Sequence, residues 1–254
     1  MTYCVALHLR GGLVMLADTR TNAGVDNIST FRKLTVIEKP GERVLGIMTA
    51  GNLALSQAIV NLATEQGIVM EEGGAPETLH TVPSMVRAAQ LMGRAVREIY
   101  KIDGPSLEAQ SENFSVSILL GGQIGQGQLR LFQIYSAGNY IEATEDTPYL
   151  QIGEHKYGKP IIDRAATFDT DVTDAVKLAL ISMDSTMRSN LSVGMPIDLM
   201  VYRRNALKVA LQRRIKDDDE YFKGLRRSWS DALTQAYRAI PGPGSALPAA
   251  SPAR

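Results

Sequence analysis

Apolar residues alternate along the chain from its third residue, and helical spacing does not begin until about residue 55. Tyr3, Val5, Leu7 and Leu9 alternate with Cys4, Ala6 and His8, which predicts a strand at the very start and no N-terminal tail. Gly11 and Gly12 supply a turn, and Leu13 to Ala17 is apolar on both faces, as a central strand covered on two sides must be. These two strands form a hairpin. Two more strands are expected at Lys33 to Ile37 and Val44 to Ala50, separated by the turn Lys39-Pro40-Gly41-Glu42. A chain that opens with four strands must find layers to cover them.

The period then changes. Leu55, Ala58, Ile59, Leu62 and Ala63 fall on one helical stripe. Val82, Met85, Val86, Ala89, Met92, Val96, Ile99 and Tyr100 make a second, longer one, with Pro83 tolerable only near its first turn. Strands return at Asn113 to Leu120 and Leu129 to Ser136, with the glycine-rich segment Gly121 to Gly127 read as their hairpin loop. That segment joins two strands and does not lead into a helix, so it is no phosphate cradle. After a strand near Glu142 to Gln151, Val172, Ala175, Val176, Ala179, Leu180 and Met183 predict a helix, with Asp169, Thr170 and Asp171 as candidate caps. Met195 to Val201 reads as the strand that returns to the sheet. Phe222, Leu225, Trp229, Ala232, Leu233 and Ala236 mark a final amphipathic helix whose acidic start, Asp217 to Glu220, suits the helix dipole.

Two blocks of strands with helices between and after them predict an α+β fold, a four-layer αββα sandwich with an extra C-terminal helix. A two-layer α+β domain with all strands in one sheet is the alternative. The expected divisions are a main domain over 2–205, a helical extension over 206–240 and a disordered tail over 241–254, which is rich in Pro, Gly, Ala and Ser.

Composition removes several functions. Lys plus Arg and Asp plus Glu are balanced at 27 each, so no whole-chain field draws nucleic acid or an anionic membrane. The single cysteine, Cys4, excludes an intrachain disulfide and a cysteine-built zinc site, and His8, His80 and His155 lack ligand spacing. No metal or other cofactor is expected. The first ten residues have no secretory pattern, and no apolar run approaches the roughly 20 residues that span a bilayer. A cytoplasmic protein is expected.

The informative block is Thr2 to Asn52. Thr2 opens the first strand, the second ends in Ala17-Asp18-Thr19-Arg20, Lys33 opens the third, and Thr49-Ala50-Gly51 closes the fourth. In this combination the chain resembles proteasome β-type subunits, which are N-terminal-nucleophile hydrolases. Within them it is most similar to the bacterial ancestral β-subunit proteins, Anbu, over Thr2-Tyr3-Cys4-Val5-Ala6-Leu7 and Ala17 to Lys33, with a likeness extending to about residue 240. The resemblance implies the αββα fold of that class, a bacterial cytoplasmic setting and self-assembly into a ring or helix. It also implies a threonine-type peptidase or amidohydrolase with Thr2 as nucleophile, Asp18 and Lys33 beside it, and a peptide or protein as substrate.

Chemistry explains the residue types. A threonine hydroxyl needs a base, and a free α-amine on the same residue supplies one with a reference pKa of about 7.7 to 8.0. The Lys33 cation favours the neutral, proton-accepting amine, and Asp18 holds Lys33 charged and oriented. The backbone N–H of Gly51 is the candidate oxyanion donor. All of this requires removal of Met1, for which a following threonine is small enough. Cys4 lies inside a strand with no activating histidine and is read as packing.

The chain departs from the family pattern at two supports. Where β-subunits carry a Gly-Ser-Gly turn, this chain has Gly153-Glu154-His155-Lys156. Where they carry Arg-Asp-x-x-Ser-Gly, it has Arg188-Ser189-Asn190-Leu191-Ser192-Val193-Gly194, which makes Ser189 and Ser192 candidate supporting groups. These changes keep two other functions in view: a structural subunit with weak or lost catalysis, and a specific acyl-transfer enzyme using the same threonine. No motif reads as a docking site for an ATPase partner.

Overall fold

The computed structural model describes residues 2–22 and 28–242. Met1, part of the segment likened to Anbu, and nearly all of the expected tail lie outside the described residues.

The opening hairpin forms as its alternation predicts. β1 (Tyr3–Leu9) and β2 (Gly12–Asp18) pair antiparallel, from Cys4 opposite Ala17 to Leu9 opposite Gly12. β12 (Tyr149–Gly153) adds to β1, β13 (Ile197–Arg203) adds to β2, and β14 (Val209–Ile215) closes the edge beyond β13. The second sheet has the order β11 (Tyr140–Glu142), β10 (Arg130–Ile134), β9 (Val116–Ile124), β6 (Arg43–Gly51), β5 (Leu34–Lys39). A short ladder of β3 (Arg20–Asn22) with β4 (Ile28–Thr30) precedes β5, and another of β7 (Ile68–Val69) with β8 (Pro76–Glu77) follows the first helix.

Two sheets instead of one settle the architecture as the four-layer sandwich. Their facing sides bury Cys4, Ala6, Leu13 and Met15 against Val44, Met48, Leu119 and Leu131. Each large apolar side chain fully removed from water there stabilises by about 1.5–3 kcal/mol. The other face of the second sheet is covered by α1 (Leu53–Asn61), a π-helical turn (Leu62–Gln66) and α2 (Met85–Ala109), whose Ile59, Ala88, Met92 and Val96 pack with Ile47, Ile118 and Phe132. The outer face of the first sheet carries α4 (Val172–Ser189), on which α3 (Lys159–Ala165) packs. Asp171 caps α4, its carboxylate accepting from Thr173 N at 2.7 Å, whereas Asp169 pairs with Arg10.

Several expectations are corrected. The segment from Gly121 is not all loop: Gly121 to Ile124 continue β9, and the turn begins at Gly125. A Cβ at Gly121 would lie 2.9 Å from a Leu13 methyl, so glycine here serves sheet-to-sheet packing. The strand expected over Glu142 to Gln151 is two strands, β11 and β12, with an interruption between them. α3, β14 and the short ladders were not expected. The main body runs to Asp217, because residues 209–215 form a strand of the first sheet.

The second unit, from Asp218, contains α5 (Glu220–Ala239). Asp219 caps it, accepting from Phe222 N at 2.9 Å, and Arg226 stacks over the Phe222 ring.

Candidate active site

Strand ends bring the expected residues together. Thr2 stands just before β1, Asp18 ends β2, Lys33 stands just before β5 and Gly51 ends β6. Lys33 Nζ donates to Asp18 Oδ1 at 2.7 Å and to the Arg20 carbonyl at 2.7 Å. The two side chains are 5% and 0% exposed. Asp18 takes two further donors: its Oδ1 also accepts from Tyr3 N at 3.0 Å, and its Oδ2 from Gly194 N at 3.3 Å. Burial pushes the Asp18 carboxyl up from its ordinary range, against the opposing pull of the Lys33 cation and these two N–H groups.

Thr2, Lys33 and Gly51 line one cavity of about 390 Å³, with Thr21, Thr49, Leu53, Ser115 and Ser117 among its other walls. Asp18 stands behind Lys33. Gly51 adopts φ +108°, and a Cβ there would lie 2.3 Å from the Ser115 carbonyl, so only glycine fits the turn. Asn52 then caps α1, its side-chain oxygen accepting from Ala54 N at 2.9 Å and Leu55 N at 3.3 Å. The cavity wall thus carries a threonine, a carboxylate-held ammonium and a turn that only glycine can make. That combination puts the Lys33 ammonium and Thr2 on the walls of one cavity.

Thr2 itself is nearly buried, and its carbonyl accepts from Glu154 N at 2.6 Å. Gly153 makes this possible at φ +81°, since a Cβ there would sit 2.0 Å from the Thr2 carbonyl oxygen. Glu154 and Asn190 are the residues that sequence reasoning did not single out as a pair. Glu154 Oε2 accepts from Asn190 Nδ2 at 3.2 Å, although 36 residues separate them. The altered turn at Gly153 was the only signal for it.

Ser189 and Ser192 are placed differently from the first three residues. Ser189 is exposed at the end of α4, and Ser192 is half-buried with its N–H donating to Asn190 Oδ1 at 2.9 Å. Neither lines the cavity. Cys4 lies in the core between the sheets, where burial pushes its thiol well above the usual range. Among the described residues no group of histidine, cysteine and carboxylate side chains is arranged to hold a metal ion, and no helix is long and apolar enough to cross a membrane.

Comparison with known proteins agrees with this fold. Residues 84–202 match the family model described as proteasome subunit. An Anbu protein from a Hyphomicrobium species is 51% identical with a TM-score of 0.85, over 95% of this chain and 99% of that one. Anbu from Yersinia bercovieri is 49% identical with a TM-score of 0.85, over 94% and 98%. A structure described as the helical assembly of the Anbu complex from Pseudomonas aeruginosa is 48% identical with a TM-score of 0.88, over 97% and 100%. No curated protein matches the sequence. With near-complete coverage at about half identity, the chain belongs to the proteasome family, among the ancestral β-subunit proteins called Anbu.

Proposed function

We propose that this chain is a threonine-type amidohydrolase or peptidase subunit, with Thr2 as nucleophile once Met1 is removed. The observation that carries the reading is that Lys33, held by buried Asp18, shares a cavity with Thr2 and Gly51. Thr2 Oγ1 attacks the amide carbonyl carbon and gives its proton to the Thr2 α-amine. The Lys33 cation keeps that amine neutral at pH near its reference value, so no histidine is needed. The Gly51 N–H donates to the oxygen that gains negative charge. As the C–N bond breaks, the departing amine takes the proton, leaving an ester on Thr2. Water, giving a proton to the same amine, then attacks the ester carbon; the C–Oγ1 bond breaks, Thr2 Oγ1 takes that proton back from the amine, and the acid is released.

Self-association belongs to the same proposal. The P. aeruginosa relative is described as a helical assembly, and 48% identity over nearly the full chain supports a homo-oligomer here. A peptide or protein substrate and a cytoplasmic setting complete it, the latter supported by the lone cysteine. The test is covalent labelling: a β-lactone probe should esterify Thr2 of the intact protein and leave Thr2→Ala unmodified. If the protein assembles but takes no probe, it acts as a structural subunit of that assembly.

A further inference from the structure

The peptide unit joining Thr2 to Tyr3 is clamped at both ends. Its carbonyl accepts from Glu154 N at 2.6 Å, and its N–H donates to Asp18 Oδ1 at 3.0 Å. The two clamps are themselves connected. Glu154 Oε2 accepts from Asn190 Nδ2, Asn190 Oδ1 accepts from Ser192 N, and the same loop returns Gly194 N to Asp18 Oδ2. Hydrogen bonds, with the Glu154 and Asn190 side chains and the backbone from Ser192 to Gly194 between them, therefore close a circuit that starts and ends on the Thr2–Tyr3 peptide unit. Among the described residues no cation pairs with the Glu154 carboxylate: its oxygens accept from Asn190 Nδ2 and, at 3.1 Å, from Lys156 N.

We infer that Glu154 is a positioning residue for the Thr2 reaction, fixing the orientation of Thr2 through the clamp and raising the basicity of its α-amine through its charge. The inference rests on the proposed role of Thr2. A glutamate side chain bonded through its own backbone to the Thr2 carbonyl can lie no farther than about 12 Å from the Thr2 nitrogen, on the order of the screening length at moderate salt. A negative charge there favours the protonated amine, and so opposes Lys33. Among the described residues, the charged groups on the segments that meet at Thr2 are Lys33 just before β5, Asp18 at the end of β2, Arg20 from β3, and Glu154 with the exposed His155 and Lys156 of its own turn. Lys33 and Glu154 thus set the amine from opposite directions.

The experiment titrates the amine of ¹⁵N-threonine-labelled protein, shown by mass to begin at Thr2, alongside Glu154→Gln and Glu154→Ala. Glu154→Gln keeps the shape and removes the charge, and should lower the amine midpoint by on the order of half to one pH unit. Glu154→Ala should also slow β-lactone labelling about tenfold through lost orientation, with Glu154→Gln retaining more of the rate. An unchanged midpoint in Glu154→Gln, or wild-type labelling in Glu154→Ala, overturns the inference. A wild type whose amine responds to Glu154→Gln but which takes no probe overturns the proposed hydrolysis alone. A chain that keeps Met1 overturns both.

Discussion

Lys33 Nζ lies 2.7 Å from Asp18 Oδ1, and neither side chain is more than 5% exposed. Breaking such a pair leaves a bare charge in the protein interior. Lys33→Met should therefore cost about 3–5 kcal/mol in urea unfolding and abolish probe labelling of Thr2. The double variant Lys33→Met/Asp18→Asn should regain part of that stability and none of the reactivity. A double variant that labels at the wild-type rate would mean the pair serves packing alone.

The turn at Gly51 separates backbone strain from crowding. Gly41 has φ +77° with open space around it, whereas Gly51 has φ +108° and would press a Cβ into the Ser115 carbonyl. Gly41→Ala should lose about 1 kcal/mol, and Gly51→Ala about 2–3 kcal/mol together with Thr2 labelling. Thermal unfolding of the two variants side by side reads the difference. Equal losses would show that the Ser115 contact is relieved by a small shift of the strand.

Burial, and next the cation of Arg204, lower the pKa of His8 below its ordinary value, and its ring packs on Phe168 at 5.4 Å between centroids. The unfolded chain then takes up a proton below about pH 6.5 that the folded chain refuses, so stability falls as pH drops through that value. Urea midpoints measured from pH 7.5 to 5 should fall less steeply in His8→Leu than in the wild type. The exposed His80 and His155 are common to both proteins and cancel in the comparison.

Arg43 ties the segment before α2 to the second sheet. Its buried Nη1 donates to the Leu79 carbonyl at 3.0 Å and the Val82 carbonyl at 3.1 Å. Arg43→Met leaves both acceptors unpaired, at a cost of about 2–4 kcal/mol. Amide exchange over 79–84 should rise before global unfolding does. Arg43→Lys should recover only part of the loss, because an ammonium lacks the guanidinium's fork of donors.

The hairpin of β1 and β2 was legible because its alternation is local and its turn is marked by two glycines. α4 was legible from one apolar stripe and its capping aspartate. β14 was not: an exposed edge strand reading Val209-Ala210-Leu211-Gln212-Arg213-Arg214-Ile215 needs no apolar face, so no period announces it. α3 was hidden by its seven-residue length and by Gly158 and Pro160, which read as a turn. At the site, Thr2, Asp18, Lys33 and Gly51 could be named through the family resemblance, and the fold sets each of them at or next to a strand end. Glu154 and Asn190 could not be paired, because their contact is made by the fold and neither residue is unusual where it stands. Ser189 shows the opposite case, a motif position that the end of α4 turns toward solvent.

The nucleophile rests on a single amine, and mass spectrometry of the whole protein reads it directly. Intact mass before and after β-lactone treatment should show a chain shorter by its initiator methionine that gains one probe, with the adduct mapped to Thr2 and missing from Thr2→Ala. A chain that retains Met1, or one that gains the same adduct in Thr2→Ala, contradicts the assignment of Thr2 as nucleophile.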